Sequence, residues 1–415
     1  MKKQPLTAAG NLAGKLQRRA ARRARWAAAV TEEGVKDTMH ATRRAGESVR
    51  DQVINQAKGV LKAVRKPLRT ASRRRAQLKE QEGFNRVEWQ VEEELDRLIS
   101  RGRTLVAGPW ISEVGFEALY WVPFLRWVKT AFHLDPGRLV AVSRGGVGSW
   151  YTGVASRYVE IWDVIEPGEF ARQNAARGIT KHYERSPLDD EILAGVARQI
   201  GTSDYDVIHP GLMYRLFTLY WSGQRAMGFV DAHARFEPPA PPALIDPGLL
   251  PAEYVAVKFY AARSLPDTPA VRDWMRRAVA ALAEQMPVVL LDTGLVLEDD
   301  HADFDIAARG RVISARPWMT PRDNLGVQTQ IVAGARAFVG TCGSIAWLAP
   351  QLGVDTSALF IDPKWLHAHL PVAMRAYHKM GGGRFSVADL RAIDPLGALA
   401  AGQSRGTAQE DTEPA

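Results

Sequence analysis

Apolar and polar positions follow one another along this chain in a regular succession of short strands and longer helices. Between residues 85 and 222, brief apolar runs alternate with stretches whose apolar residues recur every three or four positions. The first pattern is typical of a buried strand and the second of an amphipathic helix. The strands predicted here are 103–107, 139–142, 158–165 and 205–209, and the helices are 85–100, 113–131, 188–200 and 211–222.

The same succession resumes after a segment rich in proline. Residues 236–251 contain six prolines, which predicts an interdomain linker or a crossover loop. Strands alternating with helices on both sides of it predict two doubly wound α/β domains. The later strands are predicted at 254–260, 287–292, 311–314, 337–339 and 354–361, and the later helices at 269–285, 321–335, 364–379 and 386–392.

These patterns divide the chain into five predicted segments. They are a basic arm over 1–82, a first α/β domain over 83–235, the proline-rich linker over 236–251, a second α/β domain over 252–400 and a disordered tail over 401–415.

The composition favours an intracellular globular protein. The 415 residues are 46% hydrophobic, which is enough for two cores. A single cysteine excludes an internal disulfide and fits a reducing compartment. Residues 1–30 lack the apolar core of a secretory signal, and no apolar stretch is long enough to span a bilayer. We therefore expect a cytoplasmic location.

The positive charge is concentrated at one end of the chain. Residues 1–80 carry 21 Lys and Arg against 6 Asp and Glu, a net of +15, whereas the remaining residues carry 33 against 40, a net of −7. Such an arm is typically solvated, partly disordered or helical. The alternative is adhesion to an anionic membrane surface, which would make the protein peripheral at the inner face of the membrane. We do not expect nucleic acid as a partner, since base stacking needs aromatic side chains and Trp26 is the only one before Phe84.

A strand followed by small residues marks a candidate phosphate site. An apolar run ending at 337–339 precedes Gly340, Thr341, Cys342, Gly343 and Ser344, and an apolar helical pattern follows directly. A helix that opens on small residues leaves its first N–H groups free and exposes the positive end of its dipole. That arrangement binds phosphate.

Two carboxylates follow the first predicted strand. Glu113 and Glu117 lie four residues apart in an aromatic segment, so a helix would place them on one face. Carboxylates among aromatic residues can have raised pKa values that suit a general base. Both are candidate catalytic residues, and the alternative is that they only complement the helix dipole.

Two further segments offer groups for a charged, hydroxyl-rich ligand. Lys258 and Arg263 lie after the first strand of the second domain, where two cations could neutralise a diphosphate. A solvated loop is the alternative. Asn324 and Gln328, early in helix 321–335, could hydrogen-bond a sugar or ribose.

The remaining candidates are weaker. His209 ends a strand and could act as a base or contact substrate, or simply pack in a loop. Cys342 has no base near it in sequence, so a small residue in a tight turn is the better interpretation. Residues 299–305 hold four aspartates and one histidine, but their spacing fits no metal pattern, and we expect no metal site.

These motifs together resemble a known family. Residues 108–127 read GPWISEVGFEALYWVPFLRW, and this segment looks like the N-terminal motif of a group of bacterial glycosyltransferases with the GT-B fold. Residues 324–329, 338–343 and 348–350 resemble the C-terminal half of that group in the same order. The chain departs from the pattern at Cys342 and Ser344, where an aromatic residue and a second glycine are expected.

The resemblance implies two Rossmann-like domains that face each other across a cleft. A nucleotide-sugar donor would bind the C-terminal domain and a glycan or lipid-linked acceptor the N-terminal one, with no cofactor and no metal. Synthesis of cell-envelope glycan or exopolysaccharide is the implied role. The alternatives are a GT-B-like epimerase or pyruvyl transferase, or a non-catalytic protein that binds membrane or polyanion through residues 1–80.

Overall fold

A computed structural model of the chain describes residues 82–178, 181–295 and 302–393. The chain divides into two compact units, Met1–Asn85 and Arg86–Ala415, and the described residues lie almost wholly in the second. The predicted tail over 401–415, residues 299–301 of the aspartate-rich segment and all but the last residue of the predicted arm lie outside the described residues. The five predicted segment boundaries stay predictions.

In the part of the chain that the structure describes, ten short strands form two separate sheets in which every strand pairing is parallel. The first sheet has the order β3-β2-β1-β4 and the second the order β10-β9-β8-β5-β6-β7. The strands are β1 (Thr104–Ala107), β2 (Leu139–Ser143), β3 (Arg157–Glu160), β4 (Tyr205–Ile208), β5 (Val255–Lys258), β6 (Val288–Leu290), β7 (Val312–Ser314), β8 (Ala337–Thr341), β9 (Thr356–Phe360) and β10 (Phe385–Asp389).

Both sheets follow the strand order of a Rossmann fold. Counted from its own first strand, the first sheet runs 3-2-1-4 and the second runs 3-2-1-4-5-6, which is the order of doubly wound nucleotide-binding sheets. The continuous apolar runs of these strands suit parallel sheets that are covered on both faces. The predicted α/β class with two Rossmann-like sheets is confirmed.

Helices lie between most successive strands and cover the sheets. The helices are α1 (82–100), α2 (Val114–Phe116 continued by Glu117–Trp121 and Val122–Ala131), α3 (Pro167–Ala176), α4 (Pro187–Ile200), α5 (Pro210–Trp221), α6 (Met227–His233), α7 (Pro269–Gln285), α8 (Asn324–Gly334), α9 (Ile345–Leu348), α10 (Leu370–Met380) and α11 (Leu390–Ile393). Among the described residues, no helix is long and apolar enough to cross a membrane.

Helix α7 shows how the sequence builds the core. Its start is capped by Thr268, whose hydroxyl accepts a hydrogen bond of 3.2 Å from the backbone N–H of Val271. Val271, Met275 and Val279 follow at intervals of four, so they share one face and pack into the core of the second sheet. Burying such a side chain stabilises the fold by about 1.5–3 kcal/mol.

Three local predictions are corrected by the structure. Residues 386–392 were expected to form a helix, but Phe385–Asp389 is strand β10, because it pairs in parallel with β9. The strand expected over 158–165 ends at Glu160, where a 3₁₀ turn begins. The helix expected over 364–379 begins at Leu370.

Helix α2 contains a π-helical segment over Glu117–Trp121. The N–H of Val122 donates to the carbonyl oxygen of Glu117, five residues earlier. Such bulges rotate the following side chains relative to a regular helix and occur often at functional sites. The bulge therefore decides which α2 side chains face solvent and which face the core.

Candidate active site

A cavity of about 680 Å³ lies where the carboxyl ends of strands from both sheets meet. Segments that follow β1, β2, β5, β6, β8 and β9 line it. In open α/β sheets, ligands bind outside the carboxyl ends of the strands at the point where the strand order reverses. That point lies between β1 and β4 in the first sheet and between β5 and β8 in the second. The cavity is therefore the candidate active site.

The loop after β8 contributes Cys342, Gly343 and Ser344 to the cavity wall. A Cβ atom at Gly343 would lie 2.7 Å from the hydroxyl of Tyr260, so only glycine fits the close approach. Ser344 adopts a φ of 43°, a left-handed conformation that is strained for serine. The backbone path thus requires glycine at position 343 and strains Ser344.

The helix after this loop is short. Helix α9 has four residues and passes into a 3₁₀ turn, and the N–H of Cys342 already donates to Leu359 O in the sheet. Burial raises the pKa of the Cys342 thiol to about 12, which disfavours the thiolate that a nucleophile needs. The turn interpretation of Cys342 fits this environment better.

Gly340 and Thr341 lie in β8 and support the cavity wall from behind. A Cβ atom at Gly340 would lie 2.4 Å from the carbonyl oxygen of Lys258 on the neighbouring strand. The Thr341 hydroxyl accepts from the N–H of Tyr260 and donates to its carbonyl oxygen, both at 3.0 Å. Neither residue is among those that line the cavity.

The two predicted cations have different surroundings. Nζ of Lys258 lies 2.6 Å from Oδ1 of Asp303 and donates to the carbonyl oxygen of Leu291. The guanidinium of Arg263 lies 4.9 Å from the centre of the Trp365 ring and forms no ion pair within the described part of the chain. Arg263 is therefore the cation more readily available to an anionic ligand.

Asn324 and Gln328 line the cavity together at the start of α8. Nδ2 of Asn324 donates to the carbonyl oxygen of Pro321. Gln328 is 1% exposed, and its Oε1 atom has no hydrogen-bond partner among the residues that the structure describes. A buried acceptor without a partner costs about 1–3 kcal/mol, which a hydroxyl or N–H group of a ligand would offset.

Glu113 lies in the segment that follows strand β1, at the carboxyl end of the first sheet. It precedes α2 with a ψ of 135°, so its side chain leaves the helix axis and lines the cavity. Nζ of Lys181 donates to both carboxylate oxygens at 3.0 and 3.1 Å and also lies 3.4 Å above the ring of Phe116. The carboxylate is thereby held in place while part of it faces the cavity.

Glu117 does not share a face with Glu113, contrary to expectation, because Glu113 is outside the helix and Glu117 begins the π-helical segment. It is fully buried and does not line the cavity. The hydroxyls of Ser143 and Tyr151 donate to its Oε1 atom at 2.5 and 2.6 Å. Burial raises the pKa of Glu117 to about 7, although these two hydrogen bonds oppose the shift.

His209 is placed in a separate cluster outside the cavity lining. Its Nε2 atom lies 3.0 Å from Nε2 of His182, which lies 2.7 Å from Oδ1 of Asp189. Burial lowers the pKa of His182 to about 4. A metal on Nε2 of His209 would require a proton on Nδ1, but Nδ1 accepts from the N–H of Gly211. This cluster therefore does not fit a metal ion.

Comparison with known proteins finds no matching family model and no matching curated protein. Among solved structures, the chain is similar to the iron-containing dodecameric glycosyltransferase TibC from enterotoxigenic E. coli H10407, at 13% identity over 62% of this chain and 58% of that one, with a TM-score of 0.36. It is also similar to a family 9 glycosyl transferase from Veillonella parvula, at 13% identity over 74% of this chain and 90% of that one, with a TM-score of 0.36. A third is the E. coli heptosyltransferase WaaC with ADP, at 14% identity over 73% and 98%, with a TM-score of 0.30.

These solved structures are glycosyltransferases, the class that the sequence motifs resemble. The chain spans 58% of the length of TibC and most of the length of the other two. At these TM-scores, no residue of the cavity is matched to a residue of those enzymes.

Sequence reasoning missed several residues that shape the cavity. His369 lines it, and its Nδ1 atom lies 2.7 Å from the hydroxyl of Tyr120. Burial lowers the pKa of His369 to about 3, with a smaller effect from Lys181, so its ring is neutral at physiological pH. Arg144 directly follows β2. It could have been predicted from the sequence, because residues that follow the carboxyl ends of parallel strands often contact ligands. Its guanidinium is buried and donates to the carbonyl oxygens of the loop after β1.

Gly115 on α2 lies close to the loop and helix that follow β8. A Cβ atom there would lie 2.9 Å from the backbone nitrogen of Ser344 and 3.2 Å from the Trp347 ring. We expect Gly115→Ala to lower the Tm by several degrees, because the added methyl group would force the backbone at Gly115 or at Ser344 to move. Gly168→Ala, in α3 and with open space around its Cβ, is the matched control and should leave the Tm unchanged or slightly higher. Equal Tm values in thermal denaturation of both variants would contradict the contact.

Proposed function

We propose that the chain is a GT-B-type glycosyltransferase that moves a sugar from a nucleotide-sugar donor to an acceptor hydroxyl. The observation that carries this proposal is a single cavity at the carboxyl ends of two Rossmann-ordered sheets. One wall presents the carboxylate of Glu113, which is paired with Lys181. The other presents Arg263, Lys258 with its partner Asp303, and an unpaired amide oxygen. A carboxylate on one wall and the guanidinium of Arg263 on the other suit a reaction that takes a proton on one side and releases an anion on the other.

The donor is assigned to the second sheet. The planar guanidinium of Arg263 can bind a diphosphate through two parallel hydrogen bonds, and Lys258 can contribute a second positive charge once it exchanges Asp303 for phosphate. Gln328 offers its buried oxygen to a sugar or ribose hydroxyl. The loop at Gly343 and Ser344 lines the same cavity and would lie beside the bound donor.

The acceptor is assigned to the first sheet. In the proposed step, Glu113 takes the proton of the acceptor hydroxyl, and the acceptor oxygen forms a bond to the anomeric carbon. The bond from that carbon to the phosphate oxygen breaks, and the nucleoside diphosphate leaves with the electron pair. Arg263 and Lys258 stabilise its developing charge without a metal ion. A glycan or lipid-linked acceptor, and a peripheral position through residues 1–80, stay predictions from the sequence.

The proposal is tested by incubating the full chain with a panel of nucleotide sugars and glycan or lipid-linked acceptors. Release of free nucleoside diphosphate that depends on an acceptor, with a glycosylated product in the mass spectrum, is the expected result. Isomerisation of the nucleotide sugar without an acceptor would instead indicate an epimerase. If no panel member binds in a thermal-shift screen or is consumed, the proposed function is wrong.

Removing Arg263 should weaken donor binding. We expect Arg263→Ala to raise the donor Kd about tenfold or more, because a charge-assisted hydrogen bond contributes about 1.5–3 kcal/mol. Lys258→Ala should have a smaller effect, since Asp303 already neutralises Lys258. Arg276→Ala on α7, an exposed arginine away from the cavity, is the control. Calorimetry that shows unchanged nucleotide affinity in both the Arg263 and Lys258 variants would exclude this donor site.

A further inference from the structure

Three ligand-type side chains converge between helices α1 and α6, outside the lining of the cavity. Glu88 and Glu92 lie one turn apart on α1, and His233 is the last residue of α6. Their nearest ligand atoms all lie within 4.8 Å of one another. The His233 side chain is 5% exposed, while Glu88 and Glu92 are 29% and 45% exposed. His233 is therefore buried in the protein, while the two glutamates reach it from the side that is open to solvent.

The hydrogen bonding of His233 identifies the nitrogen that faces the carboxylates. Nδ1 lies 2.9 Å from the carbonyl oxygen of Phe229, which can only accept, so Nδ1 carries the proton. In the neutral ring, Nε2 then presents a lone pair. Among the residues that the structure describes, no group makes a hydrogen bond to Nε2. The charged groups that face it are the carboxylates of Glu88 and Glu92.

The distances match a shared cation better than a shared proton. Nε2 lies 3.6 Å from Oε1 of Glu88 and 3.7 Å from Oε1 of Glu92. A proton on Nε2 would draw one carboxylate to about 2.7–2.9 Å. Ligand atoms that bind a tetrahedral Zn²⁺ at about 2.0–2.1 Å are roughly 3.4 Å apart, close to both observed separations.

Two outer contacts hold these ligands in the orientation that a metal requires. The Nδ1–H group of His233 is fixed by a backbone carbonyl, as in most metal-binding histidines. A guanidinium nitrogen of Arg225 lies 3.2 Å from Oε2 of Glu88, which leaves Oε1 directed toward His233. The His233 ring also packs against Trp127 and Phe229, with ring centres 4.9 and 4.4 Å away.

The geometry points to a divalent transition-metal site, of the Zn²⁺ type, formed by Glu88, Glu92 and His233 with water completing the coordination. One imidazole nitrogen and two carboxylate oxygens are a donor set that zinc accepts. The ion ties α1 to α6 and lies apart from the cavity, so its role is structural. The cluster of His182, Asp189 and His209 does not offer such a site. Nδ1 of His209 accepts a hydrogen bond from Gly211, so the proton of the neutral ring is on Nε2, the nitrogen that a metal would need.

The test uses the full chain without an affinity tag, stripped with EDTA and titrated with ZnCl₂ by calorimetry. We expect saturable binding and a Tm that rises by a few degrees as the metal is added. Glu92→Gln keeps the size of an exposed side chain and removes one ligand charge, so it should raise the Zn²⁺ Kd at least 100-fold. Glu88→Gln should do the same.

Glu93→Gln is the matched control, since Glu93 is the next residue on α1 and is exposed outside the cluster. It should keep both the affinity and the Tm rise of the unaltered chain. No saturable binding up to millimolar Zn²⁺ would overturn the proposal. So would an affinity that is the same in Glu92→Gln, Glu88→Gln and Glu93→Gln, because the ion would then bind elsewhere.

Discussion

Glu113→Gln is expected to lower the turnover number by about 10²- to 10⁴-fold, the range typical of losing a general base. The amide keeps the shape of the side chain but cannot take the proton of an acceptor hydroxyl. Because the donor is assigned to the opposite wall of the cavity, the donor Kd should change little. Steady-state kinetics with the donor identified in the panel, together with calorimetry on the same donor, separates these two effects.

Glu184→Gln is the matched control, since Glu184 is an exposed glutamate near Lys181 that does not line the cavity. It should retain near-native turnover. If Glu113→Gln is also near-native while His209→Ala abolishes turnover, the assignment of Glu113 is wrong. If both variants are fully active, the proposed proton transfer to a side chain on the first sheet fails.

Relative to a Glu117→Gln variant, the unaltered chain is expected to lose stability as the pH rises from 5 to 8, because of Glu117. The folded-state pKa of this carboxyl is about 7, above its ordinary value of 4.5, because burial disfavours the charged form. A group with a raised pKa contributes its full stability below the ordinary pKa, and that contribution is lost as the pH passes the folded-state value. A shift of this size corresponds to about 3 kcal/mol between the two ends of the range.

Glu117→Gln isolates this contribution, because an amide does not titrate in this range and its oxygen can still accept from Ser143 and Tyr151. We expect denaturant unfolding of the two proteins, measured at pH 5, 6, 7 and 8, to give curves of stability against pH that diverge. The unaltered chain should lose stability relative to the variant at the upper end. Parallel curves would mean that the carboxyl is ionised throughout or that its buried environment is not retained in solution.

The alternation of strands and helices, and the position of several candidate residues just after strands, could be predicted from the sequence because both depend on local patterns. Apolar runs of four or five residues gave β1, β5 and β8, and the segments that follow them supplied Glu113, Arg263 and Gly343. Because the carboxyl ends of parallel strands lie at the same edge of a sheet, residues far apart in the chain could be predicted to lie close together.

The remaining features depend on contacts that no local pattern encodes. Strand β10 exists because it pairs with β9, while its own residues favour a helix about as well. The different fates of Glu113 and Glu117 depend on the start of α2 and on its π-helical segment. Lys181 contacts Glu113 from 68 residues away, in a loop that carries no strand-end signal.

The unpaired Oε1 atom of Gln328 gives the cavity a means of selecting its ligand. A compound that brings a hydroxyl or N–H group to this point pairs the oxygen, whereas a deoxy analogue of the same compound leaves it buried and unpaired. Sites of this kind reject the analogue that lacks the group far more strongly than apolar pockets reject one that is slightly too large. In the proposed donor site, selectivity at this position would therefore depend on what a competing ligand lacks, and fully hydroxylated sugars would be favoured over deoxy sugars.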